Sequence, residues 1–310
     1  LFKLNAHETG ACKNCNDFSI NNTKGQNGKS MKIKANAKIN LSLDIVRRKE
    51  DGYHELDTVF YELSLCDHIT VNKTDEQKIT VGCSDETLSC GEDNLAYKAA
   101  KLLLDEFDLK AGIDIYIEKN IPMGAGLGGG SSDAAAVLRV VNELFTLGLS
   151  DEELKIRAVK LGADVPFFIT GGAARAKGIG EELDGLKGIV IPPMIVVKPS
   201  VSVSTVFAYK AFDAYKDKYH PDIDRLIKAL QNKNDNEIFE SVGNSFEGPV
   251  FEEYDEIAQL KQRLIDMGAS ACVMTGSGSA LFALFDDVKK ADRVYRALSA
   301  YKDIRVFPEF

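Results

Sequence analysis

Several features that would assign a chain to other classes are missing from these 310 residues. No run of about 18 apolar residues occurs, so no segment is predicted to span a membrane. Basic residues are in the minority, with 38 Lys and Arg against 47 Asp and Glu, and the formal net charge is −9. Because nucleic acid binds basic surfaces, this balance argues against DNA or RNA as a partner. A small phosphorylated ligand is still compatible with it, since such a ligand needs only local donors.

A cysteine pattern typical of a disulfide framework or a zinc site is also missing. The six cysteines are Cys12, Cys15, Cys66, Cys83, Cys90 and Cys272. Only Cys12 and Cys15 form a C-x-x-C pair, and no second pair or nearby histidine completes a zinc site. Scattered cysteines are typical of thiols in a reducing compartment rather than of a disulfide framework. They predict a cytoplasmic protein.

The first 30 residues differ in composition from the remainder. They are polar, rich in Asn and Lys, without periodicity, and they lack the apolar segment of a secretory signal. Met31 then opens an alternating pattern. We expect the native chain to start at Met31, and residues 1–30 to be a leader that is disordered or was added artificially and contributes nothing to activity.

Hydrophobic periodicity indicates an α+β protein with two domains, at 31–188 and 189–310. The predicted strands are 33–45, 68–71, 78–81, 113–117, 189–197 and 304–307, with a hairpin at 269–285. The predicted helices are 94–107, 131–145, 150–162, 205–215, 223–230, 254–267 and 288–300.

The first long strand carries two candidate polar residues. Odd positions from 33 to 45 are apolar and even positions are polar, which is typical of a strand with one buried face. Lys38 and Asn40 are therefore predicted to lie side by side on the open face. A turn at Asp51 and Gly52 follows, and Tyr53 and His54 come directly after it.

Residues 121–136, IPMGAGLGGGSSDAAA, form a glycine-rich loop between a predicted strand and a predicted helix. Glycines adopt positive φ freely, so their backbone N–H groups can surround an anion, and the N-terminus of the next helix adds a positive dipole. We expect Ser131 or Ser132 to cap that helix. No Gly-Lys-Ser/Thr follows, which excludes the P-loop. A flexible linker would be flanked by aperiodic polar sequence, and therefore a phosphate site for a nucleoside triphosphate is favoured.

Two further segments each allow two interpretations. Asp164 lies between a helix-ending glycine and the apolar Pro166-Phe-Phe, so it either caps the turn at Val165 or is a half-buried carboxylate that needs a cationic partner. The segment 275–279, TGSGS, is either a turn that requires positive φ or a second wall of the phosphate cleft.

The chain resembles the GHMP kinase superfamily over residues 31–310, and the resemblance is carried by the Lys38 strand, the glycine-rich loop, the 275–279 segment and Asp164. Within the superfamily, the chain looks like members that phosphorylate the 2-hydroxyl of 4-diphosphocytidyl-2-C-methyl-D-erythritol, a cytidylylated sugar alcohol of the non-mevalonate isoprenoid route. Four motifs carry this narrower match: AKINL at 37–41, DGYH at 51–54, residues 122–135 and GADVPFF at 162–168. Asn36 departs from the pattern, because proline is frequent there. The resemblance implies an N-terminal domain like domain 2 of ribosomal protein S5 and a ferredoxin-like C-terminal domain.

The resemblance also implies a site for ATP, with Mg²⁺ expected and Ser132 as its best candidate ligand. The implied phosphate-binding residues are Pro122, Met123, Gly124, Ala125, Gly126, Leu127, Gly128, Gly129, Gly130, Ser131 and Ser132. Asn94 and Lys119 match positions near the adenine pocket. Asp164 would accept the proton of the attacking hydroxyl, and Lys38 would keep that carboxylate ionised and stabilise the transferring group, so the two should meet in space.

On the substrate side, the resemblance implies that Tyr53 stacks on cytosine and that His54 hydrogen-bonds the base through its backbone or its ring. Asn40 and Thr205 would complete the substrate site. The protein would be a monomer or a weak homodimer.

Two alternatives remain open. Another GHMP member, such as a homoserine or mevalonate kinase or a diphosphomevalonate decarboxylase, has no cytidine to bind, so the DGYH segment argues against it. A catalytically silent nucleotide-binding regulator would need neither Lys38 nor Asp164.

Overall fold

The structure is a computed structural model that describes residues 19–21 and 30–310. The expectation for the leader therefore lies mostly outside the described residues. Within it, Ser19–Asn21 is a short strand whose backbone pairs antiparallel with residues 30–32.

The described chain contains twelve strands and ten helices. The strands are β1 (Ser19–Asn21), β2 (Ser30–Arg48), β3 (His54–Thr74), β4 (Ile79–Cys83), β5 (Gly112–Glu118), β6 (Ala173–Lys177), β7 (Glu182–Gly185), β8 (Met194–Pro199), β9 (Gly243–Asn244), β10 (Ala271–Met274), β11 (Leu281–Leu284) and β12 (Ile304–Glu309). The helices are α1 (Leu95–Glu106), α2 (Gly129–Leu144), α3 (Asp151–Ala158), α4 (Val165–Thr170), α5 (Thr205–Ala214), α6 (Ile223–Asn232), α7 (Asp235–Ser241), α8 (Glu247–Glu253), α9 (Asp255–Asp266) and α10 (Val288–Leu298).

The larger sheet has the strand order β1-β2-β3-β5-β4, and β6, β7 and β9 extend it beside β2 and β3. Its two longest strands, β2 and β3, pair antiparallel, whereas β4 runs parallel to β5. One core lies between this sheet and α1 to α4, where Ile69, Ile115, Leu103 and Val137 are buried.

The smaller sheet has the order β10-β11-β8-β12 and is antiparallel throughout. A second core lies between it and α5, α8, α9 and α10. A third core joins the two halves of the chain, since Ile39 of β2 packs in one cluster with Val196 of β8 and Leu226 of α6. The short strand β9 also pairs with β2, so the late part of the chain contributes to the early sheet. The domain boundary near residue 188 stays a prediction.

Several boundaries differ from the sequence prediction, each for a local reason. Helix α2 begins at Gly129 and its N-cap is Gly128 at φ +72°, so the prediction of a serine cap is wrong. The strand predicted over 189–197 begins only at Met194, because two prolines at 192 and 193 cannot donate to a ladder. Helix α3 has the predicted capping box but ends at Ala158, four residues before the predicted glycine.

Candidate active site

Lys38 lies in an irregular part of β2, where the register with β3 shifts on either side of residues 38–40. Its backbone N–H donates to the carbonyl of Leu127, which ties the strand to the glycine-rich loop. The face of β2 that carries Lys38 and Asn40 was predicted to be open, and that prediction is wrong, because both residues are buried. Only 5% of the Lys38 side chain is exposed. The loop and the 275–279 hairpin cover this face.

The structure brings Lys38 and Asp164 together across 126 positions of sequence. Lys38 Nζ lies 3.6 Å from Asp164 Oδ2 and 4.8 Å from the centroid of the Phe60 ring. Burial lowers the pKa of Lys38, and the adjacent Asp164 carboxylate opposes that effect. Asp164 keeps 36% of its side chain exposed, so its carboxylate has a buried cation behind it and access to the cleft. Such a pair can hold a carboxylate next to an incoming hydroxyl.

The alternative role of Asp164, as a cap, does not fit its geometry. Asp164 occupies the N-cap position of α4, but its side chain makes no capping hydrogen bond, and its backbone is already helical. Its carboxylate is therefore available to Lys38.

Asn40 holds the lysine in place. Lys38 Nζ donates to Asn40 Oδ1 at 2.6 Å, and Asn40 Nδ2 donates to Thr58 Oγ1 at 2.8 Å. The backbone N–H of Asn40 donates to Thr275 Oγ1 at 2.8 Å. Because both ends of this buried amide already have protein partners, the structure favours a positioning role over the predicted contact with substrate.

The glycine-rich loop connects β5 to α2 and is anchored by two buried side chains, Ala125 and Leu127. Gly124, Gly126 and Gly128 have φ of +59°, +74° and +72°, a region that favours glycine. Close packing adds to this requirement, since a Cβ on Gly128 would lie 2.7 Å from the Phe168 ring. The remaining predicted members also lie in or directly after this loop: Pro122, Met123, Gly129, Gly130, Ser131 and Ser132. Backbone amides at a helix N-terminus in this arrangement can bind a phosphate.

The second glycine segment, 275–279, packs directly against this loop. A Cβ on Gly276 would lie 3.2 Å from the backbone of Gly126, and the N–H of Ala280 donates to the carbonyl of Ala125. Thr205, at the start of α5, has its hydroxyl 3.0 Å from that of Ser277. The structure therefore places Thr205 and the hairpin beside the loop.

Lys119 lies beneath the loop rather than on its open face. Its ammonium is 2.5 Å from Asp67 Oδ2 and 2.7 Å from Asp133 Oδ2, with 4% of the side chain exposed. Asp67 also accepts hydrogen bonds from the backbone N–H groups of Asn120 and Ile121. A nucleotide could reach the Lys119 ammonium only by breaking these ion pairs.

Asp133 is the unusual member of this buried cluster. Burial raises its pKa to about 7, although Lys119 opposes the shift. Within the described part of the chain its Oδ1 atom is buried without a hydrogen-bond partner. Neither Asp67 nor Asp133 was singled out from the sequence. The one available signal was for Asp133, which is a charged residue at the start of an alanine-rich helix.

Asn94 is the N-cap of α1. Its side chain accepts from the N–H of Ala96 and donates to the carbonyl of Ser89. The structure brings this end of α1 near the loop, since Leu95 lies 3.7 Å from the position of a Cβ on Gly130. The predicted contact of Asn94 with adenine stays a prediction.

Tyr53 and His54 have different environments at the start of β3. Tyr53 is 61% exposed, whereas His54 is buried. The His54 ring stacks on Tyr209 of α5, with centroids 4.6 Å apart, and its Nε2 lies 2.7 Å from Asp213 Oδ1. Burial, followed by the charge of Asp164, raises the pKa of Tyr209 to about 12. Tyr209 and Asp213 were not singled out from the sequence, because their pattern is that of ordinary residues in an amphipathic helix.

The described residues contain no group of three or more His, Cys, Asp or Glu that could hold a metal ion by themselves. Mg²⁺ in nucleotide sites is usually held by one or two protein ligands together with phosphates and water, so this finding is compatible with Mg²⁺ entering with ATP. Ser132, in the first turn of α2, is buried, and its predicted contact with Mg²⁺ stays a prediction, whereas the partnered oxygen of Asp133 already accepts from Lys119. In the part of the chain that the structure describes, no helix is long and apolar enough to cross a membrane.

Comparison with known proteins identifies the family of this chain. The family model for the GHMP kinases N terminal domain matches residues 94–172, and the model for the GHMP kinases C terminal domain matches residues 214–303. A 4-diphosphocytidyl-2-C-methyl-D-erythritol kinase from Clostridium beijerinckii is 42% identical over 275 residues, covering 88% of this chain and 98% of the relative. The chain belongs to the GHMP kinase family. It is an ATP-dependent small-molecule kinase.

Solved structures confirm the predicted α+β fold. A crystal structure of 4-(cytidine 5'-diphospho)-2C-methyl-D-erythritol kinase matches with a TM-score of 0.76 and 36% identity, covering 90% of this chain and 98% of the other. A homoserine kinase from Cytophaga hutchinsonii matches with a TM-score of 0.69 but only 20% identity, covering 91% of this chain and 94% of the other. The second likeness shows the fold alone.

Proposed function

We propose that this kinase transfers the γ-phosphoryl group of ATP to the 2-hydroxyl of 4-diphosphocytidyl-2-C-methyl-D-erythritol. The observation that carries the chemistry is the contact of Lys38 with Asp164, with a 3.6 Å N–O distance, next to a glycine-rich helix N-terminus. The choice of substrate is supported by relatives named 4-diphosphocytidyl-2-C-methyl-D-erythritol kinase, which are 42% identical to this chain over nearly their whole length.

In the proposed reaction, the substrate oxygen attacks the γ-phosphorus while the bond from that phosphorus to the β,γ-bridging oxygen breaks and ADP leaves. Asp164 accepts the hydroxyl proton. Lys38 contacts the Asp164 carboxylate and stabilises negative charge on the transferring group, and Asn40 fixes the ammonium in position. Positioning and electrostatic stabilisation supply most of the catalysis in phosphoryl transfer.

The nucleotide is proposed to bind with its phosphates on residues 122–132. Mg²⁺ bound with ATP would neutralise phosphate charge, and the Ser132 hydroxyl is the candidate protein ligand. Lys119 contributes indirectly in this proposal, since it supports the loop from below through Asp67 and Asp133.

The substrate is proposed to lie between the DGYH turn and α5. The exposed ring of Tyr53 is free to stack on cytosine, and base stacking on an aromatic side chain contributes about 1–3 kcal/mol. His54 hydrogen-bonds the base edge, and Thr205 lies on the side of the cleft formed by the 275–279 hairpin.

The remaining proposals concern the whole molecule. We propose an ATP-binding domain at 31–188 and a second domain at 189–310, in a cytoplasmic protein that is a monomer or a weak homodimer. The cytoplasmic location is supported by four free cysteines in the described chain, Cys66, Cys83, Cys90 and Cys272.

An ADP-release assay with three acceptors tests the proposed substrate. We expect turnover with 4-diphosphocytidyl-2-C-methyl-D-erythritol and at most background release with mevalonate or homoserine. Equal or faster turnover of either alternative acceptor would instead support another GHMP activity. ATP binding without turnover of any acceptor would support the silent regulator.

A further inference from the structure

One face of α5 connects the phosphate side of the cleft to the DGYH turn. Thr205, Tyr209 and Asp213 are spaced four residues apart, so they share this face. Thr205 contacts Ser277 of the glycine hairpin, and Tyr209 stacks on His54. Asp213, the last of the three, has no role in the chemistry described above.

The Asp213 carboxylate joins two neighbouring strands. Its Oδ1 atom lies 2.7 Å from His54 Nε2 on β3, and its Oδ2 atom lies 3.3 Å from Arg48 Nη1 at the end of β2. The histidine side chain is 7% exposed and the carboxylate 31% exposed. Stacking on Tyr209 and a short hydrogen bond at Nε2 together hold the ring in one orientation.

This hydrogen bond also determines which ring nitrogen carries the proton. An ionised carboxylate only accepts hydrogen bonds, so a neutral His54 ring donates from Nε2 and keeps a lone pair on Nδ1. No described residue hydrogen-bonds to Nδ1, and Nδ1 is not among the enclosed atoms that lack a partner. It is therefore free to accept from a ligand.

Cytosine and uracil differ at C4, where a hydrogen-bond acceptor on the protein can pair with one base and not with the other. Cytosine presents an amino donor at C4, whereas uracil presents a carbonyl acceptor at the same position. We propose that Asp213 is a positioning residue that fixes His54 as a hydrogen-bond acceptor and thereby selects cytidine over uridine in the substrate. This inference rests on the proposed function, since it assigns the base selectivity of that same site.

Asp213→Asn tests the inference, because the amide can donate to Nε2 and so favour the opposite tautomer. The substrates are 4-diphosphocytidyl-2-C-methyl-D-erythritol and its uridine analogue. We expect the ratio of their kcat/KM values to fall on the order of tenfold or more, because leaving a polar group unpaired accounts for discrimination of this kind. The KM for ATP should stay within about twofold of the wild-type value. Asp217→Asn, at an exposed acid just beyond α5, is the matched control and should leave the ratio unchanged.

A spectroscopic measurement on the wild-type protein separates this role from a structural one. Long-range ¹H–¹⁵N NMR of the histidine rings should show His54 protonated at Nε2 alone, and Asp213→Glu should retain that state and most of the selectivity. An Nδ1-protonated ring in the wild type, or an unchanged substrate ratio in a folded Asp213→Asn, would overturn the inference. If the wild type turned over neither nucleotide form, the proposed function would fail, while the NMR result would still decide the tautomer.

Discussion

Gly126→Ala is expected to destabilise the protein and to disturb the cleft. Gly130→Ala, four residues further along, is expected to do neither. Gly126 has φ +74°, and a Cβ there would lie 2.4 Å from the carbonyl oxygen of Thr275. That neighbour is backbone in the adjacent hairpin, so it cannot move aside by a rotamer change. Gly130 lies inside α2 without positive φ, and the nearest atom to its Cβ would be a Leu95 methyl at 3.7 Å, an ordinary contact.

The two changes should therefore have opposite signs. A left-handed conformation costs an L-residue about 1–2 kcal/mol, and overpacking adds about 1–3 kcal/mol, so Gly126→Ala should lower the free energy of unfolding by about 2–5 kcal/mol. Gly130→Ala replaces a glycine in the first turn of α2 and should raise it by up to about 1 kcal/mol. At about 2–4 °C per kcal/mol, Gly126→Ala should melt roughly 4–20 °C below the wild type.

Differential scanning calorimetry measures the melting temperatures, and titration calorimetry measures ATP binding by each variant. Gly126→Ala should also weaken ATP binding, because relieving the clash displaces the loop from the hairpin. A Gly126→Ala protein that melts within one degree of the wild type would contradict the packing of loop against hairpin. A Gly130→Ala protein that is destabilised as much as Gly126→Ala would contradict the assigned start of α2.

Two further predictions concern the base and the buried cluster. Tyr53→Ala should raise the KM for the cytidylyl substrate about 5–150-fold through lost stacking while the KM for ATP stays near its wild-type value, and an unchanged substrate KM would mean that this exposed ring only covers its turn. The pKa of Asp133 rises from 3.8 to about 7 in the folded protein, so between these values the folded state binds more protons than the unfolded state. The free energy of unfolding contributed by this group should therefore fall as pH rises from about 4 to 7, by about 1–4 kcal/mol, and Asp133→Asn should remove that dependence in urea titrations at several pH values. An identical pH profile in both proteins would place the titration elsewhere.

The fold could be predicted largely from local patterns. Strand β2 follows from strict alternation, α3 from its capping box, and the loop from its glycines. The same patterns could not show that the polar face of β2 is covered, because the covering segment, 275–279, is remote in sequence. The glycine N-cap of α2 was not predicted, because the statistical preference at N-caps favours serine. The positive φ at residue 128 instead favours glycine.

The site could be predicted in part, and mainly through family resemblance. Lys38 and Asp164 were paired by that resemblance; their spacing alone carries no such information. Asp67, Asp133 and Asp213 were not found, because each acquires its meaning from a partner on another element. A carboxylate that contacts a remote lysine or histidine has the same local sequence signal as a solvated one.

The central claim is that Asp164, held by Lys38, accepts the proton of the 2-hydroxyl during phosphoryl transfer. The most direct test is a rapid-quench single turnover of the wild type and Asp164→Asn, each with saturating ATP and in excess over 4-diphosphocytidyl-2-C-methyl-D-erythritol, with the product identified by ³¹P NMR. The account predicts a new phosphomonoester on the 2-hydroxyl and a rate that is about 10²–10⁴-fold lower in the variant, with ATP affinity nearly unchanged. Near-normal turnover by Asp164→Asn, or phosphate on a different hydroxyl, would contradict it.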